Sequence, residues 1–367
     1  MTELENLTGR LVAIESVNPD LIPSGSGEGA IAAFVASWLR DVGLSVSVVE
    51  PVKGRPSVVA VLRGSGGGGR SLMLNAHMDT VGAGGMASPF SPVAHDGRVF
   101  GRGAYDMKAS LAAIMVTARE ASRLGLRGDL IVTAVADEEV ASIGTAAVLE
   151  QFRADFALVT EPTELRLCLA HKGFVWIEVE TVGVAAHGSR ADLGIDAIAA
   201  MGPVLSGVQA LEAQVRAGPP HGLLGTGSLH ASVIEGGREM STYPNRCVLK
   251  LERRTVPGED GDSVLREIEA LLPSSSRGSA RILLERPPSE VAPEHPFPLA
   301  VARAAGNPVV VGVAYWMDMA LLNAAGIPCV AFGPSGEGAH ADVEWVDVAS
   351  VERCVSVYLK TAELLCG

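Results

Sequence analysis

The chain has 367 residues, of which 48% are hydrophobic and only 4% aromatic, with 42 glycines and a formal net charge of −13. That length exceeds what one compact core holds, so it predicts at least two domains in an ordinary α/β composition. The acidic balance excludes nucleic acid and anionic membrane as partners, since both need clustered Lys and Arg; a small molecule or a cation fits better. The opening Met1-Thr2-Glu3-Leu4-Glu5-Asn6 lacks the basic and apolar regions of a leader, and no apolar stretch is long enough to span a bilayer, so the expected location is cytoplasmic. Five scattered cysteines, Cys168, Cys247, Cys329, Cys354 and Cys366, never form a Cys-x-x-Cys pair. They are expected to be reduced and buried, with neither a disulfide framework nor a thiolate metal site.

In chain order, an amphipathic helix is predicted over 29–42 and a strand over 58–62. Gly64, Gly66 and Gly69 then satisfy G-x-G-x-x-G, but no helix opens after them, so a dinucleotide site is rejected and a flexible glycine hairpin is expected. A strand at 72–74, a helix over 108–124 and strands over 130–135 and 156–159 follow. This alternation predicts an α/β fold with a parallel or mixed sheet covered by helices. From Lys172 the rhythm changes, with alternation through Phe174, Trp176, Glu178 and Glu180. A helical run over 195–215 is expected to break or kink at Pro203, before strands near 228–234 and 247–255, a helix near 262–272 and a strand near 280–285. The order βαββαβ is that of a ferredoxin-like α+β unit. Strand-like stretches at 309–313 and 329–332 return to the first pattern. The predicted domains are therefore 1–171 together with 287–367, and an insertion at 172–286, with Pro287-Pro288 marking the return. No G-x-S-x-G elbow exists, because Gly333-Pro334-Ser335-Gly336 is followed by Glu337, and serine hydrolase chemistry lacks support.

In an open α/β sheet, ligands gather beyond the carboxyl ends of the strands. The polar residues just after the apolar runs are His77 and Asp79, the pair Glu138 and Glu139, Glu161, and His340, while Asp106 stands at the expected start of the helix near Lys108. Imidazoles and carboxylates without thiolates suit zinc, cobalt or manganese, and a bridging carboxylate can hold two such ions. Two cations bring a shared water towards neutral pKa, and a carboxylate that is not a ligand takes its proton; Glu138 and Glu139 could divide those roles. Singly, each residue has a plainer reading. Asp106 would cap its helix, Glu138 and Glu139 would complement a helix dipole, His77 would be a core histidine, Glu161 a turn residue and His340 a loop histidine.

Ala76-His77-Met78-Asp79-Thr80-Val81, Gly101-Arg102-Gly103-Ala104-Tyr105-Asp106-Met107-Lys108, Asp137-Glu138-Glu139, Thr160-Glu161-Pro162-Thr163 and Ala339-His340 occur in one order. Together they resemble the metallohydrolases that include acetylornithine deacetylase, succinyl-diaminopimelate desuccinylase, glutamate carboxypeptidase and aminoacylase. The resemblance covers nearly the whole chain. It implies a zinc-exopeptidase-like catalytic domain, a mixed sheet flanked by helices, with an inserted ferredoxin-like lid that also dimerises. It implies two zinc ions per chain, replaceable by cobalt or manganese, with Asp106 bridging them. His77 and Glu161 would complete one site, Glu139 and His340 the other. Glu138 would be the general base for a water between the metals, and Asp79 would accept the His77 N–H. His187, in Ala186-His187-Gly188-Ser189, would stabilise the oxyanion, and Arg254, before Thr255-Val256-Pro257-Gly258, would clamp a substrate carboxylate. Arg253 competes with Arg254, and either could instead form a surface salt bridge.

The chain departs from the family pattern at Tyr243-Pro244-Asn245, where an Asn commonly precedes the Pro. It departs again at Glu252, in place of Asp, and at Ala341, in place of Thr. These positions bear on substrate more than on metal. The implied activity is hydrolysis of small N-acylated amino acids, as in acetylornithine deacetylase, by a homodimer paired through the lid. A metallo-dipeptidase or carboxypeptidase, and a non-catalytic small-molecule binder on the same fold, are the rival readings.

Overall fold

A computed structural model describes residues 2–273 and 277–367. The chain divides into two compact units, one of Met1–Leu169, Val291–Val311 and Met317–Gly367, the other of Ala170–Glu290 with Gly312–Trp316.

The first unit is built on a mixed sheet. Its strands run in the order Ser45–Val49, Ser57–Leu62, Leu130–Val135, Leu72–His77, Phe156–Val159, Cys329–Ala331 and then the strand beginning at Leu167. The four strands 130–135, 72–77, 156–159 and 329–331 are mutually parallel, so their carboxyl ends share one edge. Leu72–His77 and Leu130–Val135 are buried along their whole length, as expected of strands covered on both faces. Helices Gly29–Asp41 and Ile143–Gln151 pack near the antiparallel end of the sheet, and Ala109–Ala121 and Val348–Cys366 against its parallel strands. All five cysteines are buried, and none forms a disulfide among the described residues.

The glycine segment is not a hairpin. The strands on either side of it, Ser57–Leu62 and Leu72–His77, do not pair; both flank Leu130–Val135. Its glycines answer a close approach instead, since a Cβ on Gly64 would lie 2.2 Å from the Arg127 carbonyl oxygen and one on Gly128 2.0 Å from that of Arg70.

The second unit carries an antiparallel sheet ordered Ser228–Gly236, Arg246–Thr255, Gly173–Val182, Ser279–Arg286, with helices Ala197–Ala217 and Gly261–Glu269 packed on it. This is the split βαββαβ arrangement. The expected break at Pro203 does not occur: the helix runs unbroken from Ala197 to Ala217. A proline inside a helix costs ~3 kcal/mol. Met201, Val204 and Val208 are buried around it against the sheet, each contributing roughly 1.5–3 kcal/mol, and this outweighs the loss. Asp196 caps the start by accepting from the Ala199 amide at 2.9 Å.

His171 is fully buried in this unit, its Nδ1–H donating to the Lys172 carbonyl at 2.9 Å while Nε2 has no partner among the described residues. Burial lowers its pKa to about 4, so the native state keeps it neutral. The unfolded chain takes up its proton at a higher pH, so this stability is complete above about pH 6.5 and is lost as pH falls towards 4, ~3 kcal/mol in all. Denaturant midpoints across pH 4–7 should fall with acid less steeply for His171→Leu than for the parent; parallel slopes would show that His171 is not the group responsible.

No helix among the described residues is long and apolar enough to cross a membrane.

Candidate metal centre

Three parallel strands deliver four donor residues to one edge. His77 ends Leu72–His77, Glu138 and Glu139 follow Leu130–Val135, and Glu161 follows Phe156–Val159. Asp106 sits in a tight turn, Ala104–Lys108, where Asp106 and Met107 leave helical geometry and the peptide between them is cis. The α-helix itself begins only at Ala109 with Lys108 at its cap position, so Asp106 stands before the helix and caps nothing. His340 lies between the short paired strands Gly336–Glu337 and Trp345–Asp347. The second of these pairs with Arg98–Phe100, which leads directly into the Asp106 turn, so a small sheet carries both loops.

Asp106 is placed between two imidazoles. Its Oδ1 is 3.1 Å from His77 Nε2, and its Oδ2 is 3.4 Å from His340 Nε2. His340 Nε2 also lies 3.1 Å from Glu139, and His77 Nε2 lies 3.6 Å from Glu161. Donor atoms of His77, Glu138 and Glu161 fall within 4.8 Å of one another, as do those of His77, Asp106 and Glu139. The structure thus brings together all five residues expected as metal ligands and the expected base.

The electrostatics of the cluster favour added positive charge. Burial and the Asp106 charge push the Glu161 carboxyl well up; burial and Glu161 do the same to Glu138, and burial raises Glu139. Hydrogen bonds to Asp106 and Glu139 push His340 up to about 10. Burial opposes charge on His77, but Asp106, Glu161 and Asp79 outweigh it and raise its pKa as well. Two imidazoles and four carboxylates, with no thiolate and in mutual repulsion unless positive charge enters, fit divalent ions of the zinc, cobalt or manganese type.

Asp79 acts differently from expectation. The His77 Nδ1–H donates to the backbone carbonyl of Asp79 at 2.9 Å, while the carboxylate is 3.7 Å away. That carboxylate instead accepts from the Glu138 and Glu139 amides at 3.1 and 3.2 Å and from Asn18 Nδ2 at 2.8 Å. It is buried, and an acid buried so close to the ligands satisfies its oxygens from the neighbouring backbone and an amide. Asp79 thus contacts His77 through its main chain and the backbone of the two glutamates through its side chain.

His187 and Arg254 belong to the second unit. His187 is exposed, its Nδ1 2.8 Å from the Ser189 hydroxyl. Arg254 donates to Glu252 at 2.8 Å and lies over the Phe174 ring at 5.1 Å, which is the salt-bridged state weighed against the clamp. Arg253 is 2% exposed and is engaged by the Arg254 carbonyl and by Glu259.

Sequence reasoning missed several supporting groups. Asn18 Nδ2 bridges Asp79 and Asp137, and Arg55 binds Glu28 through two nitrogens at 2.6 and 2.8 Å and Asp137 at 2.9 Å. Buried Asp318 accepts from Thr145, and burial raises its carboxyl to about 6. Buried Glu344 holds the Asp106 turn. Glu344 and Arg55 each follow a run of exposed residues, so no local burial pattern marks either in the sequence.

A mixed sheet with two histidines and several carboxylates gathered beyond its carboxyl edge is the setting of a metal-dependent hydrolase. Residues 73–364 match the family described as peptidase family M20/M25/M40, and the chain belongs to that family of metallohydrolases. It is similar to the N-formyl-4-amino-5-aminomethyl-2-methylpyrimidine deformylase of Bacillus subtilis (strain 168), at 28% identity over 97% of this chain and 93% of the other. It is also 28% identical to the acetylornithine deacetylase of Erwinia tasmaniensis, over 94% and 92% of the two chains. Among solved structures, aminopeptidase PepT from Bacillus cereus ATCC 10987 superposes with a TM-score of 0.82 over 99% of this chain and 98% of that one; at 17% identity this likeness shows the fold alone.

Proposed function

We propose that the protein hydrolyses the amide bond of a small N-acylated compound, an N-acyl amino acid in the first instance, using two zinc ions. The observation that carries this reading is Asp106, whose two carboxylate oxygens face two different histidines. His77 and Glu161 would hold one ion with Asp106, and Glu139 and His340 the other. When bound, such a pair supplies Lewis acidity towards the amide carbonyl and makes water nucleophilic near neutral pH. Glu138 removes the proton of the attacking water and delivers it to the leaving amine as the C–N bond breaks. His187 and Arg254, on the inserted unit acting as a lid, would contact the oxyanion and a substrate carboxylate. The exposed edge strand Ser228–Gly236, with Ile234 50% exposed, would pair two copies into a homodimer. Both curated relatives carry names of enzymes that remove an acyl group from nitrogen, which favours deacylation over dipeptide cleavage.

The test is elemental analysis joined to hydrolysis of N-formyl and N-acetyl amino acids and of dipeptides, before and after chelation. Chelator-sensitive release of free amino acid from the N-acyl substrates, with about two ions per chain, is the expected result. Exclusive turnover of dipeptides would move the reading to a peptidase, and a protein that no added metal activates would leave a binding role.

Zinc entering the site must displace the proton of His340, whose pKa the Asp106 and Glu139 contacts push up to about 10. Calorimetry at pH 7 in buffers of different ionisation enthalpy should therefore show proton release, and affinity should weaken as pH falls. Binding with no proton exchange would contradict the donor set.

A further inference from the structure

We infer that the buried pair Arg102–Glu344 is a positioning device that sets the Asp106 turn against the His340 loop, and so controls occupation of the second metal position. The inference rests on the two-metal reading above. Glu344 is 2% exposed, and its carboxylate is fully subscribed. One oxygen accepts from the Tyr105 and Asp106 amides at 2.9 and 3.0 Å; the other accepts from the Gly103 amide at 2.9 Å and from Arg102 Nη1 at 2.8 Å. A single anion thus gathers the backbone donors of the turn that presents Asp106. Gly103 makes that turn possible, with φ of 78° and no room for a Cβ beside Thr80 and Lys108.

Arg102, 1% exposed, extends the arrangement in two further directions. Its Nη2 donates to the Ala341 carbonyl at 2.9 Å, next to His340, and its Nε to the Gly82 carbonyl at 3.0 Å, in the segment that follows His77 and Asp79. One guanidinium therefore touches the His340 loop and the segment that follows His77, while its carboxylate partner holds the turn that carries Asp106. The planar fork of Arg makes three fixed directions from one side chain, which the point charge of Lys does not.

The two metal positions do not depend on this pair equally. His77 ends one strand of the buried central sheet and Glu161 follows another, so their placement is set by that sheet. His340 is half-exposed on a loop, with φ of 62°, and has no such support. Weakening the pair should loosen the ion held by His340 and Glu139 far more than the ion held by His77 and Glu161. Groups that orient ligands without touching the metal typically change affinity about 10–100-fold.

The experiment titrates metal-free full-length protein with zinc against a chromogenic chelator, for the parent, Glu344→Gln and Arg102→Lys, and records the cobalt absorption spectrum of each. Near-ultraviolet circular dichroism monitors the fold. The expected result is selective: one ion bound within a few-fold of the parent, the other weakened about 10–100-fold, with an altered cobalt spectrum in both variants. Folded variants that bind both ions as the parent does, or lose both equally, overturn the inference, as does failure of both variants to fold in saturating zinc, which marks the pair as purely structural. If the parent itself takes up no zinc, the two-metal reading fails, whatever the variants do.

Discussion

Glu138→Ala is expected to lower kcat by roughly 10²–10⁴-fold, the usual contribution of a positioned general base, while leaving metal content close to that of the parent. Glu139→Ala is expected to lower metal occupancy as well as rate. The asymmetry follows from geometry: Glu139 lies 3.1 Å from His340 within the cluster around Asp106, whereas the Glu138 carboxylate stands beside His77 and Glu161 with no hydrogen bond to either histidine. Their backbone amides hang side by side from Asp79, so a one-residue difference in sequence becomes a difference in role. Kinetics and elemental analysis of both variants decide the matter; equal metal loss in the two would show that the roles are wrongly divided.

Arg55→Ala should lower unfolding free energy by about 3–5 kcal/mol, because it strands two buried carboxylates at once. The Arg55 side chain is 6% exposed, and those of its partners Glu28 and Asp137 are 0% and 1% exposed. Burial already pushes the Glu28 carboxyl up, which shows how little solvent reaches it. Asp137, held at φ of 68°, immediately precedes Glu138, and Asn18 joins it to Asp79, so the damage should reach activity as well as stability. Denaturant unfolding of the metal-free variant checks the first effect without interference from bound ions. A midpoint unchanged from the parent would show that the Arg55 contacts do not stabilise the fold.

Much of the fold was legible because burial writes itself as periodicity. Leu130–Val135 reads as an unbroken apolar run because both faces of the strand are covered, and Gly173–Val182 alternates because only one face is. Where local rules and packing conflict, packing prevailed. Pro203 did not break its helix, and the glycines between Ser57–Leu62 and Leu72–His77 serve a close backbone crossing instead of a hairpin. A sequence window contains neither the sheet that the helix covers nor the backbone that the loop must pass.

The sequence by itself determined the alternation of strands and helices, the interruption by a βαββαβ unit, and a set of histidines and carboxylates just beyond the strands, since each is recorded in residues near one another in the chain. Only the tertiary structure decided that Asp106 turns one oxygen to each histidine, that Asp79 serves His77 through its carbonyl and the glutamates through its carboxylate, and that Arg55, Asn18, Arg102 and Glu344 hold the surrounding loops. Apart from His77 and Asp79, which are two positions apart, these partners lie tens to hundreds of residues from one another; Arg102 and Glu344 are separated by 242 positions. A buried charge selects its partner by proximity in the folded chain, and no local pattern encodes that choice.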